Sequence, residues 1–189
     1  MSGRSYRYHG GAGPGILRAR EIAERRLRLS KTVWRIATDT PTYQADDLSG
    51  AGAKATGGRW NQAGIAIVYT SETRALACLE TVVHLNAGGL PFNRYLVEIT
   101  IPDEVWVNAR AETPGSLRVG WDAEPAGKVS IEFGTAWVRS GSSTLLVVPS
   151  VIVPEECSVL INPAHADIAR ITAVKQRRWL YDPRLGRPV

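Results

Sequence analysis

The sequence predicts an α+β fold, with one mixed or antiparallel sheet in a single domain. Short runs rich in β-branched and aromatic residues recur along the chain. Within the body only two longer segments read as helices. The strand runs also lack the regular βαβ alternation of a doubly wound sheet. The folded body is expected over residues 32–189, with residues 1–31 as a basic, flexible extension.

The elements follow in order. Residues 1–15 are rich in Gly, Ser and Tyr without periodicity and read as disordered. "ILRAREIAERRLRLS" places Ile16, Ala19, Ile22 and Ala23 on one face of a short basic helix. "TVWRIA" opens the body as a strand, and "GIAIVYTS" reads as a second, almost continuously apolar one. "SETRALACLETVVHLN" reads as a helix, with Ser71 as N-cap and Gly88-Gly89 as its stop. "RYLVEITIP" is a strand with Tyr95, Val97, Ile99 and Ile101 on one face. "VWVNA" and "TLLVVPSVIVP" add strands, Pro149 marking an edge or a bulge in the latter. "IEFGTAWVRSG" reads as a second helix and "HADIARI" as a short turn or helix.

The totals narrow the class. The 189 residues suit one domain, and 44% hydrophobic with 22% charged residues is an ordinary globular composition. No apolar run spans a bilayer and no secretory leader is evident, so no membrane role is expected. Two cysteines without CxxC spacing fit a reducing cytoplasm better than a disulfide framework or a zinc site. The net charge is +5, but residues 1–31 hold eight basic residues against Glu21 and Glu24. The body is therefore near neutral, and no direct nucleic-acid contact is expected from it.

Few residues stand out chemically. On a helical wheel Leu76, Leu79 and Val83 define an apolar face, and Glu80 falls between Leu76 and Val83. A carboxylate there is either a border residue paired with an arginine or one facing a pocket. Arg59, in "GGRWN", is either a structural ion-pair partner, Glu80 included, or an anion-binding guanidinium on a loop whose Gly57 and Gly58 allow close approach. Tyr69 is a core tyrosine or a stacking platform, and Ser150, beside Pro149 and without an evident base partner, reads as a turn serine with weak support for a hydrolase nucleophile. His9, His84 and His165 have no metal-ligand spacing, and no metal site is expected. There is no phosphate-binding P-loop, no dinucleotide fingerprint and no serine-hydrolase elbow.

One resemblance goes further. "LSGAGAKATGGRWNQAGIAIVYTSETRALACLET" resembles the core of the RES domain, a family named for its Arg, Glu and Ser. It continues through "VPSVIVPEECSVLINPAHAD" to "WLYDPRL", roughly residues 33–185. The family arginine falls on Arg59, its tyrosine on Tyr69, its glutamate on Glu80 and its serine on Ser150, while Arg35 matches a second arginine near the domain start. The resemblance implies a fold similar to ADP-ribosyltransferase toxins and a cytoplasmic bacterial toxin of a type II toxin–antitoxin pair. It implies NAD as substrate, with no permanently bound cofactor, and cleavage of the nicotinamide–ribose bond by hydrolysis or phosphorolysis. Protein ADP-ribosylation is an alternative, and a non-catalytic nucleotide- or partner-binding module a further one. Glu80, Arg59 and Tyr69 would be catalytic; Arg59, Tyr69, Ser150 and Arg35 would bind substrate. An Xre-like antitoxin is the implied partner, and a homodimer is compatible with it.

Overall fold

The computed structural model describes residues 29–84 and 91–186. The expected N-terminal helix and the Gly88-Gly89 stop lie outside these residues. A mixed seven-stranded sheet has the order β4-β5-β6-β2-β1-β3-β7 among the described residues. Its strands are β1 (Ser30–Ala37), β2 (Val68–Ser71), β3 (Tyr95–Pro102), β4 (Arg110–Ala111), β5 (Leu145–Pro149), β6 (Cys157–Ile161) and β7 (Thr172–Arg178). The helices are α1 (Ala51–Thr56), α2 (Arg74–Val82), α3 (Asp103–Trp106) and α4 (Lys128–Ser140). Only β4 and β5 pair in parallel; the other pairs are antiparallel. This is an α+β sheet consistent with an ADP-ribosyltransferase-like fold. No described helix is long and apolar enough to cross a membrane.

Strand alternation sorts the core onto the two faces. Val33, Val68, Val97, Ile99, Ile101, Leu145, Val159 and Ile161 form one cluster that spans β5, β6, β2, β1 and β3. The other face carries two separate clusters. Trp60, Ile67, Leu146, Val148 and Leu160 pack with Trp137 of α4. Trp34, Ile36 and Leu96 pack with Ala77 of α2 and with Tyr181. The sheet is thin between them. β1 meets β3 along its full length, from Ser30 opposite Pro102 to Ala37 opposite Tyr95, but meets β2 only at Trp34 opposite Ser71. The sheet thus splits into a β7-β3-β1 half and a β2-β6-β5-β4 half.

Several elements differ from expectation for physical reasons. "VWVNA" is not a strand. Pro102 ends β3 and stands at the N-cap of α3, where Asp103 and Glu104 occupy the electropositive first turn. The apparent alternation misleads, since Val105 is buried whereas Val107 is 75% exposed. Of "GIAIVYTS" only Val68–Ser71 is strand, because a turn closes first, with Ile65 N donating to Gln62 O at 3.1 Å. The N-cap of α2 is Thr73, whose Oγ1 accepts from Leu76 N at 3.0 Å; Ser71 is the last residue of β2. The apolar face of α2 is also displaced. Leu76 and Ala77 are buried, while Leu79 and Val83 are 37% and 55% exposed. Pro149 closes β5, at the end of its pairing with β6. α4 covers the helix expected at "IEFGTAWVRSG" but begins earlier, at Lys128, and the 3-10 turn Ala166–Arg170 lies within "HADIARI".

Candidate functional site

The split between β1 and β2 opens a cleft of about 930 Å³, within the usual size range of ligand sites. Its walls come from both halves: Trp34, Arg35 and Ile36 of β1, and Tyr69, Thr70 and Ser71 of β2. Glu80 of α2, the Gly57–Trp60 loop and residues 149–152 close it in. Arg35, Arg59, Tyr69, Glu80 and Ser150 all line this one cleft.

The "GGRWN" loop follows α1 and turns tightly. Gly58 N donates to Asn61 O at 3.0 Å, and Asn61 N donates to Gly58 O at 3.3 Å. Arg59 and Trp60 stand at the tip. Trp60 is buried, stacked on Trp121 at 6.2 Å and edge-on to Phe133 at 6.0 Å, which pins the loop to the sheet. Asn61 is 1% exposed. Its Nδ2 donates to the carbonyls of Ala53 and Ile65, each at 2.8 Å, and its Oδ1 accepts from the Tyr69 hydroxyl at 2.7 Å. The same hydroxyl accepts from Trp60 N at 2.9 Å. A Cβ on Gly58 would lie 2.7 Å from Tyr69 Oη. The space at this glycine is therefore used by the protein's own tyrosine. Burial, the largest cause, pushes the Tyr69 phenol well above its ordinary value, while nearby Arg59 and Glu80 act in opposite directions. The phenol stays protonated at neutral pH, and its hydroxyl is committed to the loop.

Arg59 and Glu80 are not ion-pair partners, contrary to the structural alternative for these two residues. Arg59 Nη2 meets Glu124 Oε2 at 2.7 Å, and Nη1 donates to Ala123 O at 2.8 Å and Trp121 O at 3.4 Å. Glu80 instead receives hydroxyls. Its Oε1 accepts from Ser150 Oγ at 3.0 Å and from Ser158 Oγ at 3.5 Å. Among the described residues Oε2 makes no hydrogen bond, and Glu80 lines the cleft. Ser150 is 2% exposed, and its Oγ also accepts from Ile152 N at 3.1 Å and Val153 N at 3.3 Å. It is both a turn serine and a carboxylate clamp, and its O–H is spent on Glu80.

The opposite ends of α2 and the 150–157 loop are tied as well. Thr73 Oγ1 donates to Glu156 Oε2 at 2.6 Å, and Glu156 O accepts from Ser150 N at 2.9 Å. Arg35 lies deeper, donating from Nη1 to Asp47 O at 3.1 Å. Burial lowers its pKa, against the raising effects of Tyr43 and Asp47. His84 lines the cleft, whereas His165 caps the 3-10 turn by accepting from Asp167 N. No group of three or more potential metal ligands occurs among the described residues. Asn61, Ser158 and Glu124 were not singled out by sequence. Asn61 and Ser158 stood inside quoted stretches, but neither Ser158 nor Glu124 carries a pattern of its own.

Known proteins resemble the chain over most of its length. The RES domain family profile matches residues 32–182. A protein of Sphingobium sp. (strain YBL2) named Prs ADP-ribosylating toxin is 67% identical over 159 residues, which is 84% of this chain and 99% of that protein. A Toxin Res of Yersinia enterocolitica is 35% identical over 76% of this chain and 93% of its own length. A Toxin Res of Pseudomonas putida is 36% identical over 70% of this chain and 85% of its own. The glutamate clamped by a serine, and the arginine across the same cleft, thus stand in a chain that belongs to the RES-domain toxin family.

Proposed function

We propose that this toxin cleaves the nicotinamide–ribose bond of NAD and passes the ADP-ribose to an acceptor protein. The observation that carries the reading is Glu80, held on Oε1 by Ser150 and Ser158, in the cleft that also contains Arg59 and Tyr69. As the bond breaks, its electron pair leaves with nicotinamide and positive charge grows on the ribose, as in glycoside cleavage. A fixed carboxylate stabilises that charge more than it stabilises the ground state. The hydroxyl contacts orient Glu80 and leave Oε2 for a ribose hydroxyl or for the charged ring. Arg59 binds the pyrophosphate, and Arg35 adds positive charge deeper in the cleft. The Tyr69 hydroxyl fixes the Arg59 loop, while the ring offers a face to nicotinamide. The acceptor nucleophile bonds to the ribose carbon and its proton leaves to solvent.

The name of the Sphingobium relative favours a protein acceptor, and Prs is the first to test. A toxin needs a restraining antitoxin, and we assign that role to a small Xre-like DNA-binding protein that blocks the cleft. The experiment is incubation of purified protein with radiolabelled NAD, with and without Prs and with and without phosphate. Labelled Prs together with released nicotinamide is the expected result. Free ADP-ribose or its 1″-phosphate as the sole product would give the acceptor role to water or phosphate. Intact NAD in every reaction would overturn the proposal.

A further inference from the structure

The Arg59 guanidinium already holds an anion, and its partners are of two kinds. The carbonyls of Trp121 and Ala123 belong to a loop pinned by Trp121, which is buried and stacked on Trp60. The Trp121 carbonyl is carried by that anchored residue, and the Ala123 carbonyl follows two positions on. Glu124 differs, since its side chain is 78% exposed while that of Arg59 is 20% exposed. Glu124 also makes no other hydrogen bond or ion pair among the described residues. Guanidinium carries five N–H donors in a rigid fork. Nη1 serves the two carbonyls, which leaves Nη2 and Nε for an anion, and Glu124 takes Nη2 at 2.7 Å. Both Glu124 and Ala126 line the cleft.

We propose that Glu124 is a built-in anion that occupies Arg59 in place of the substrate's phosphates and is displaced when a pyrophosphate enters. The inference rests on the NAD reading above. Carboxylate and phosphate compete for the same fork because both accept charge-assisted hydrogen bonds from it. Exposed ion pairs shift equilibria by only about one- to fivefold, so Glu124 is easily replaced. A pyrophosphate brings more charge and more acceptor oxygens. The two carbonyls keep the guanidinium aimed during the exchange, so one exposed side chain rotates and the loop need not open. Glu124 thereby lowers the affinity of the cleft for any anion that uses Arg59.

The test is calorimetric titration of ADP-ribose, and separately of inorganic pyrophosphate, into wild type, Glu124→Gln, Arg59→Ala and the double variant. Glu124→Gln should bind about two- to fivefold more tightly at low salt, and the gain should shrink as salt screens the pair. It should vanish in the Arg59→Ala background. Unchanged or weaker binding by Glu124→Gln, or an equal gain without Arg59, would overturn the inference. Wild-type NAD cleavage on the same preparations reports separately on the proposed function. Cleavage without a Glu124 effect removes this inference alone; a Glu124-dependent affinity without cleavage removes the proposed chemistry alone.

Discussion

Glu80→Gln keeps the shape of the side chain and an acceptor for Ser150, but removes the charge. If the carboxylate acts on the transition state, kcat should fall about 10²- to 10³-fold, the scale seen for single electrostatic stabilisers, with little change in KM. The melting temperature should hold, since Glu80 has no ion-pair partner to strand among the described residues. Steady-state kinetics and melting curves on one preparation check both. Full activity in this variant would end the catalytic assignment. Tyr69→Phe should behave in the opposite sense. It keeps the ring but leaves the buried Asn61 Oδ1 and Trp60 N without their partner. An unsatisfied buried polar group costs about 1–3 kcal/mol, so denaturant titration should show lost stability. Activity per folded molecule should fall less than in Glu80→Gln.

The loop that carries Arg59 is held by a helix distant from it in sequence. A Cβ on Gly134 would collide with the Trp60 carbonyl, and one residue on, Thr135 Oγ1 accepts from Gln62 N at 3.0 Å. Helical Gly ordinarily costs stability, yet here it lets α4 lie against the loop. Gly134→Ala should destabilise the protein by about 1–3 kcal/mol through overpacking and weaken ADP-ribose binding as Arg59 shifts. Thermal melting and calorimetry check the two effects together; an unperturbed variant would show that the loop does not depend on α4. The same elements show what a sequence can disclose. β3 was legible because its alternation reports burial directly, with Val97, Ile99 and Ile101 all buried. β7 was not: "TAVKQRR" is an exposed, basic edge strand with no apolar alternation to read. α1 has no buried residue and no side-chain cap, so nothing marked it. Arg59, Glu80 and Ser150 stood out by chemistry and by family likeness, but their partners did not. The Ser150–Glu80 contact joins residues 70 positions apart and the Arg59–Glu124 pair residues 65 apart, and only the folded sheet brings them together.

At the scale of the whole molecule, an ion pair ties the loop after β1 to the edge strand. Lys175 Nζ lies 2.8 Å from Asp39 Oδ2. The Lys175 hydrogen bond, then that from Ala45 N, hold the Asp39 carboxyl below its ordinary value, and the Asp39 hydrogen bond raises Lys175. The Asp39 contribution to stability is thus present above the unfolded carboxylate value of about 3.9 and is lost as pH falls through the lower folded value. The Lys175 contribution is present below its unfolded value and is lost as pH rises through the folded one. Melting temperatures of wild type and Asp39→Asn should therefore differ near neutrality and converge below about pH 4; a constant gap would refute the link. A last consequence comes from the thin seam between β1 and β2. The two halves share one register pair, yet they are interleaved along the chain. β1 and β3 lie on one side with β2 between them in sequence, and β7 returns to that side only after β4, β5 and β6 have formed the other. Neither half is a continuous stretch, so neither can be translated, cut out or melted alone. Heat or denaturant should remove the whole sheet in one transition, with fluorescence and circular dichroism coinciding, and folding should be slow because its pairings are distant in sequence. For the cell this should make activity all-or-none: a chain cut before β7 lacks the strand that pairs with β3, and if the sheet forms only as a whole it builds no cleft.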